Sequence, residues 1–275
     1  MSVLEQGSQL ILSAHKEPEQ KIARIHIATP KEFMGRLIHS PYRFGFNRLE
    51  ISFDDPKVMP MIRKFLDELL GFEIVDQTEH SCTIEMVAKG MENEFEKLLR
   101  RSMYIIQGML REIAQGIEQG NHSAPIDIIE REKTVDKLLY FCMRVLNQNV
   151  IPPGKSNYLA ILAWSLERIA DDLCFFALSA KNQSILFSRH KSKTLRAVQL
   201  TERSFTAFME FFSKPSQKSL LEARNKVQHA RKEIEGQMQL PFSPLWSCIT
   251  ALDELLIFFP EGFAIMPLSP MNRAD

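Results

Sequence analysis

The sequence of 275 residues has few cysteines and no excess of charge. Its four cysteines are far apart, form no CxxC pair and have no histidine at zinc-ligand spacing. They predict buried, reduced thiols and exclude a disulfide framework or a zinc finger. Lysine plus arginine and aspartate plus glutamate number 34 each, so no net charge attracts the chain to nucleic acid. We therefore expect no nucleic acid among its partners.

Long apolar runs are also absent. No stretch approaches the roughly 20 apolar residues that a membrane-spanning helix requires. The amino-terminal residues lack the basic start and apolar run of a secretory signal. We expect a cytoplasmic protein without a membrane span, which could reach a membrane only peripherally, through a partner.

The familiar motifs of catalysis and nucleotide binding are missing. The sequence has no GxGxxG, no GxxxxGKS or GxxxxGKT, and no GxSxG. Its seven histidines are scattered, and none stands in an HxxxH or ExxH arrangement. A ferritin-like di-iron core would therefore lack its ligands. These absences predict a protein that is not an enzyme.

A globular core is available, because 45% of the residues are apolar. Up to residue 88 the apolar runs are short and separated by turn formers, which favours strands alternating with short helices. This pattern predicts a small α+β domain over 1–88. We expect strands at 10–12, 22–27, 49–53, 72–75 and 82–87, one helix capped by Thr29 and ending near residue 39, and another opened by 54–56.

Beyond Gly90 the apolar residues recur with the period of a helix. The pattern predicts six helices, at about 95–120, 125–146, 156–181, 190–213, 217–238 and 244–259. Helices of this length with short connections pack economically as an antiparallel bundle. The predicted fold is therefore mainly α, with two three-helix units at 91–183 and 190–265 that follow the α+β domain.

Two pairs of carboxylates form the candidate site. Glu132 and Asp136 are four residues apart on the second predicted helix of the bundle, so both lie on one helix face. Glu167 and Asp171 repeat this spacing on the third. Neighbouring helices can then present four carboxylates together, which repel one another unless a cation lies between them. Hard oxygen donors suit Fe³⁺, Mn²⁺, Mg²⁺ or Ca²⁺.

A metal-free interpretation explains the same residues. Pairs of acids four apart are common on charged helices, and salt bridges from Lys133 or Arg168 could satisfy them. On a helical projection, Glu167 and Asp171 lie towards the polar side of their helix. Any site there would be superficial.

At these segments the sequence resembles the PhoU family of phosphate-uptake regulators. Residues 166–171, LERIAD, match the family's LERI-A/G-D run, and residues 130–136, EREKTVD, are similar to its earlier ERD…VD run. The resemblance extends over about 90–181. Residues 70–75 resemble the segment that leads into the helices in the archaeal branch, in which an α+β region comes first.

The resemblance implies a helical bundle with multinuclear iron or zinc clusters on its surface. Glu132, Asp136, Glu167 and Asp171 would be the metal ligands. It also implies regulation of phosphate uptake and phosphate homeostasis beside a phosphate transporter component or a sensor kinase. We further expect a homodimer.

Two departures from the family pattern leave alternatives open. The matching places of the second unit, at 230–235 and 251–256, lack the acidic pairs, so at most one cluster is expected. Residues 6–12 resemble only the tail of the AbrB-like DNA-binding hairpin of archaeal relatives. The hypotheses are a regulator of phosphate uptake, a metal-free helical adaptor, and a transcriptional regulator derived from the AbrB-PhoU architecture.

Overall fold

The computed structural model describes residues 2–6, 9–13, 21–28, 34–88, 90–120, 125–148, 151, 153–182, 184–235 and 243–263. Over these residues the chain is mainly helical, with a small four-stranded sheet and a separate two-stranded hairpin. Its contacts divide it into two compact units, Met1–Lys89 and Gly90–Asp275. Within the described ranges, no helix is long and apolar enough to cross a membrane.

The first unit contains the strands and two short helices. Strands β1 and β2 form an antiparallel hairpin. The four-stranded sheet has the order β3-β4-β6-β5, in which β3 and β4 are parallel and the other neighbours are antiparallel. The elements are β1 (Ser2–Gln6), β2 (Gln9–Ser13), β3 (Ile22–Ile27), α1 (Met34–Arg43), β4 (Arg48–Phe53), α2 (Met59–Leu66), β5 (Phe72–Gln77) and β6 (Ser81–Met86).

Alternation along the strands builds the core of this unit. Leu49, Ile51 and Phe53 of β4 are buried, whereas the residues between them are half-buried or exposed. On α1 the buried Tyr42 donates a hydrogen bond to the Leu70 carbonyl at 2.9 Å, which fixes that helix to the chain before β5. The period of two therefore sets one apolar face of the sheet.

The boundaries of the first helices differ from the sequence prediction. Helix α1 ends at Arg43, not near residue 39, because Ile38, His39 and Tyr42 continue its buried face. The predicted cap Thr29 lies outside the described residues. Asp55 does cap the next segment, where it accepts a hydrogen bond from the Lys57 backbone NH at 2.9 Å. That segment begins as a 3-10 turn before α2.

The second unit contains seven described helices, one more than the sequence predicted. The addition is α6, a short helix between the third and fourth predicted ones. The helices are α3 (Phe95–Gln119), α4 (Pro125–Asn147), α5 (Pro153–Asn182), α6 (Ser184–Arg189), α7 (Lys191–Ser213), α8 (Gln217–Glu235) and α9 (Ser243–Phe263).

Each long helix packs against neighbours on two sides: α3 contacts α4 and α7, α5 contacts α4 and α9, and α8 contacts α7 and α9. Helices α3 and α7 run antiparallel. Gln107 donates a hydrogen bond to Thr206 at 2.8 Å, and Arg111 pairs with Glu202 at 3.0 Å one turn further along α3 and one turn earlier on α7. Helix α5 contacts both α4 and α9. Its polar side chains can therefore interact with residues of both neighbouring helices.

Candidate metal site

Three carboxylates converge where α4 and α5 pack. Glu132 and Asp136 come from consecutive turns of α4, and Asp171 comes from α5. One oxygen of each lies within 4.8 Å of one oxygen of each of the others. Glu167 is outside this group, but its charge contributes to the raised pKa of Asp136. Three of the four residues predicted from the sequence therefore form a compact site, and the fourth borders it.

The apolar faces of the two helices position these acids. On α4, Val135 and Leu139 are buried in the bundle, and Arg131 pairs with Glu112 of α3 at 2.9 Å. These contacts turn the edge that carries Glu132 and Asp136 towards α5. On α5, Leu166, Ile169 and Leu173 are buried, which leaves Asp171 at the solvent edge beside α4.

Asp136 is more shielded from water than Asp171. Its Oδ2 accepts a hydrogen bond from the Tyr140 hydroxyl at 3.4 Å, whereas its Oδ1 is buried with no hydrogen-bond partner among the described residues. Burial, followed by the charges of Glu132, Glu167 and Asp171, raises its pKa to about 8. A buried carboxylate oxygen without a partner costs free energy, which a proton or a metal cation could offset.

The other two carboxyl groups interact directly. The interaction of Asp171 with Glu132 lowers the pKa of Asp171. Although the Asp171 side chain is exposed, desolvation of its carboxyl outweighs that interaction and raises its pKa. The site therefore binds protons more readily than isolated carboxylates do.

The spacing of the oxygens fits one metal ion. Opposite ligands of an ion lie two bond lengths apart, about 4.0–4.2 Å for octahedral Mg²⁺ and about 4.6–5.2 Å for Ca²⁺. The carboxylate oxygens lie within 4.8 Å of one another, so small side-chain movements suffice to place all three on one ion. Asp136 Oδ1, which has no hydrogen-bond partner within the described part of the chain, is available as a metal ligand. The residues present thus fit a hard cation.

The structure changes the expected depth of the site. The helical projection predicted a superficial cluster, and Asp171 is indeed exposed, but Asp136 is largely shielded from water. The reason is the close packing of α5 on α4, which a single-helix projection cannot include. The site therefore has an exposed entrance at Asp171 and a desolvated end at Asp136.

Sequence reasoning missed two neighbours of the site. The Asp172 carboxyl interacts with Ser247 of α9, and burial raises its pKa. The pair of consecutive aspartates at 171–172 was the sequence feature that could have indicated this neighbour. Because consecutive residues of a helix face different directions, Asp172 points away from α4. Cys174, predicted to be buried, is half-buried, and its thiol pKa is raised to about 11 by burial and by the nearby carboxylates.

Between α8 and α9, a buried carboxylate is paired with a cation of the protein itself. Asp253 of α9 is buried and accepts hydrogen bonds from Arg231 Nη1 and Gln228 Nε2 of α8, both at 2.9 Å. The Arg231 guanidinium also lies over the Trp246 ring, 5.5 Å from its centroid. Among the described residues, the group of Glu132, Asp136 and Asp171 is the one set of acids spaced for a metal ion.

Comparison with known proteins identifies no relative of this chain. No family model matches the chain, and no curated protein or solved structure matches it. The interpretation of the site therefore depends on its own geometry and on the motifs at 130–136 and 166–171.

Proposed function

We propose that this chain is a non-enzymatic regulator of phosphate uptake that binds a metal cation between α4 and α5 and acts through protein partners. In this proposal the described helices form a PhoU-like bundle of two three-helix units. Glu132, Asp136 and Asp171 hold the cation directly, and Glu167 adds negative charge beside them. The partner is a phosphate transporter component or its sensor kinase.

One observation carries the proposal. Two motifs separated by some thirty residues of sequence, each resembling a motif of the PhoU family, bring their acids together across one helix contact. Nothing in a salt-bridged surface requires this convergence, and it leaves the buried Asp136 Oδ1 without a hydrogen-bond partner. Both features are expected of a cation site.

The donor set limits the metal. Three carboxylates are hard ligands, which favour Fe³⁺, Mn²⁺ or Mg²⁺, and zinc also accepts carboxylate oxygen. When bound, the cation would neutralise the acids and join the two helices. The protein supplies the rest: Tyr140 orients Asp136, and the Arg131–Glu112 pair holds α4 in place. The proposed metal is iron or zinc, as the family resemblance implies.

A second function is favoured by the protonation of the site. The pKa of Asp136 is raised to about 8 and that of Asp171 is also raised, so protons alone can relieve the repulsion. The chain would then be a metal-free helical adaptor. Both functions require protein partners, and they differ in whether added metal stabilises the fold.

Capture from membranes tests the regulator. Tagged protein incubated with detergent-extracted membranes of its source organism is expected to recover a phosphate transporter component or its sensor kinase, identified by mass spectrometry. The captured amount should change between phosphate-rich and phosphate-starved cells, since a regulator must respond to supply. Recovery of unrelated cytosolic proteins only, at equal amounts in both conditions, would remove the main support for phosphate regulation.

A further inference from the structure

The outer face of α5 carries an exposed stripe that shares Asp171 with the cation site. Trp164, Arg168, Asp171 and Phe175 are spaced four, three and four residues apart, which places them on one line along the helix. Trp164 is 56% exposed and Phe175 is 60% exposed. We call these residues the α5 stripe. Both rings therefore present apolar area to solvent on the same helix face.

The stripe has a defined length and order. Trp164 and Phe175 are separated by eleven residues of helix, about 16 Å or three turns. Arg168 lies between them, with its guanidinium 6.0 Å from the Trp164 ring centroid and its Nη2 donating to Ser247 Oγ at 2.9 Å. This contact holds Trp164 against the helix surface. The stripe therefore offers two exposed aromatic rings with a polar centre.

Negative charge borders the centre of the stripe. Asp171 belongs both to the stripe and to the acidic group with Glu132 and Asp136, and Glu167 lies one turn before it. The one cation in the stripe, Arg168, already donates to Ser247. The face therefore combines aromatic anchors with an excess of carboxylates.

We propose that the α5 stripe docks an amphipathic helix of a protein partner that carries lysine or arginine between two apolar residues about three turns apart. Helices of this kind bind by placing apolar residues at helical spacing against a complementary face. Trp164 and Phe175 would contact the apolar residues, and the basic residues would meet the carboxylates around Asp171. Exposed aromatic side chains commonly supply most of the affinity at such interfaces.

This inference rests on the proposed function only in requiring a protein partner, and it adds a form of regulation. A metal cation and a basic helix would neutralise the same acids, so each should weaken the binding of the other. Such coupling is reciprocal by thermodynamic linkage. The cation would then act as a switch for docking.

Peptide binding tests the docking surface. The probe is a synthetic amphipathic peptide of about five turns with leucines along one face and lysines at its centre, matched by a peptide with glutamates in place of the lysines. The chain has two tryptophans. In a Trp246→Phe background, fluorescence therefore reports Trp164 alone. With chelator present, we expect the lysine peptide to bind at least tenfold more tightly than the glutamate peptide.

Variants separate docking from general attraction between charges. Phe175→Ala and Asp171→Asn should each weaken binding of the lysine peptide by about tenfold, since each removes one element of the stripe. Tyr104→Ala is the matched control, because Tyr104 on α3 is an aromatic residue that is 62% exposed, and it should leave binding unchanged. Equal binding of both peptides, or unchanged binding by Phe175→Ala, would overturn the proposal.

Two further outcomes keep this test distinct from the proposed function. Because peptide binding is measured with chelator, it does not depend on whether the chain holds a metal. Self-association that is lost in Phe175→Ala without any peptide would show that a second copy occupies the stripe, and the proposal would be wrong. If a metal binds, its addition should weaken binding of the lysine peptide. It should not weaken binding of the glutamate peptide.

Discussion

Replacing Asp136 by asparagine is expected to make the metal-free protein more stable at pH 8. The folded-state pKa of this carboxyl is raised from 3.8 to about 8. As the pH rises between these values, the unfolded chain releases the proton while the folded chain keeps it, so the wild type loses stability across this window. Asparagine has no such proton. Its stability advantage should grow by on the order of 3 kcal/mol between pH 5 and pH 8.

Urea unfolding with chelator at both pH values measures this difference. Asp127→Asn is the control, because Asp127 is an exposed aspartate in the first turn of the same helix, and its effect should be the same at both pH values. If Asp136→Asn gives no gain in stability at pH 8, or the same gain at pH 5 and pH 8, then burial and the neighbouring acids do not raise the pKa of Asp136.

Replacing Arg231 by glutamine should destabilise the helical unit by about 3 kcal/mol. The change leaves the buried Asp253 carboxylate without its guanidinium, and loss of one partner from a buried pair is strongly unfavourable. The value lies at the low end of the usual range because the Arg231 side chain is 40% exposed. Thermal or urea unfolding of the intact chain reports the loss.

The Lys226–Glu222 pair on the same helix provides the comparison. Both of its side chains are substantially exposed, so Lys226→Gln should change the free energy of unfolding by less than about 1 kcal/mol. In the double variant Arg231→Gln with Asp253→Asn, part of the lost stability should return, since no charge stays buried. Equal effects of Arg231→Gln and Lys226→Gln would contradict the burial argument.

Local pattern accounts for much of the fold. Apolar residues at helical spacing predicted the long helices, and glycine marked the end of α3, where Gly120 has φ 65°. Helix α6 was missed because its six residues are too few to show a helical period. Strand β1, of five residues, was also missed.

The candidate site, too, could be predicted only in part from local pattern. Spacing of four residues predicted which acids share a face of α4, and that inference needs one helix only. The inclusion of Asp171 and the exclusion of Glu167 depend on the rotation of α5 against α4, which no single-helix pattern contains. The same rotation turns Asp172 towards Ser247 of α9. Burial of Asp136, which sets its pKa, is likewise a property of the packed helices.

Metal binding by purified protein is the most direct test of a cation between α4 and α5. Protein prepared without chelators should contain metal by elemental analysis. After stripping, adding Fe³⁺, Zn²⁺, Mn²⁺ or Mg²⁺ should raise its melting temperature, because binding at a hundredfold excess over Kd stabilises the folded state by about 2.7 kcal/mol. Asp171→Asn should lose both the metal and the shift.

The neighbouring Asp172→Asn change serves as the control. Asp172 interacts with Ser247 and lies outside the acidic group, so this variant should keep its metal and its thermal shift. If wild type contains no metal and none of the four ions changes its melting temperature, the cation site is wrong and the metal-free adaptor is the better account.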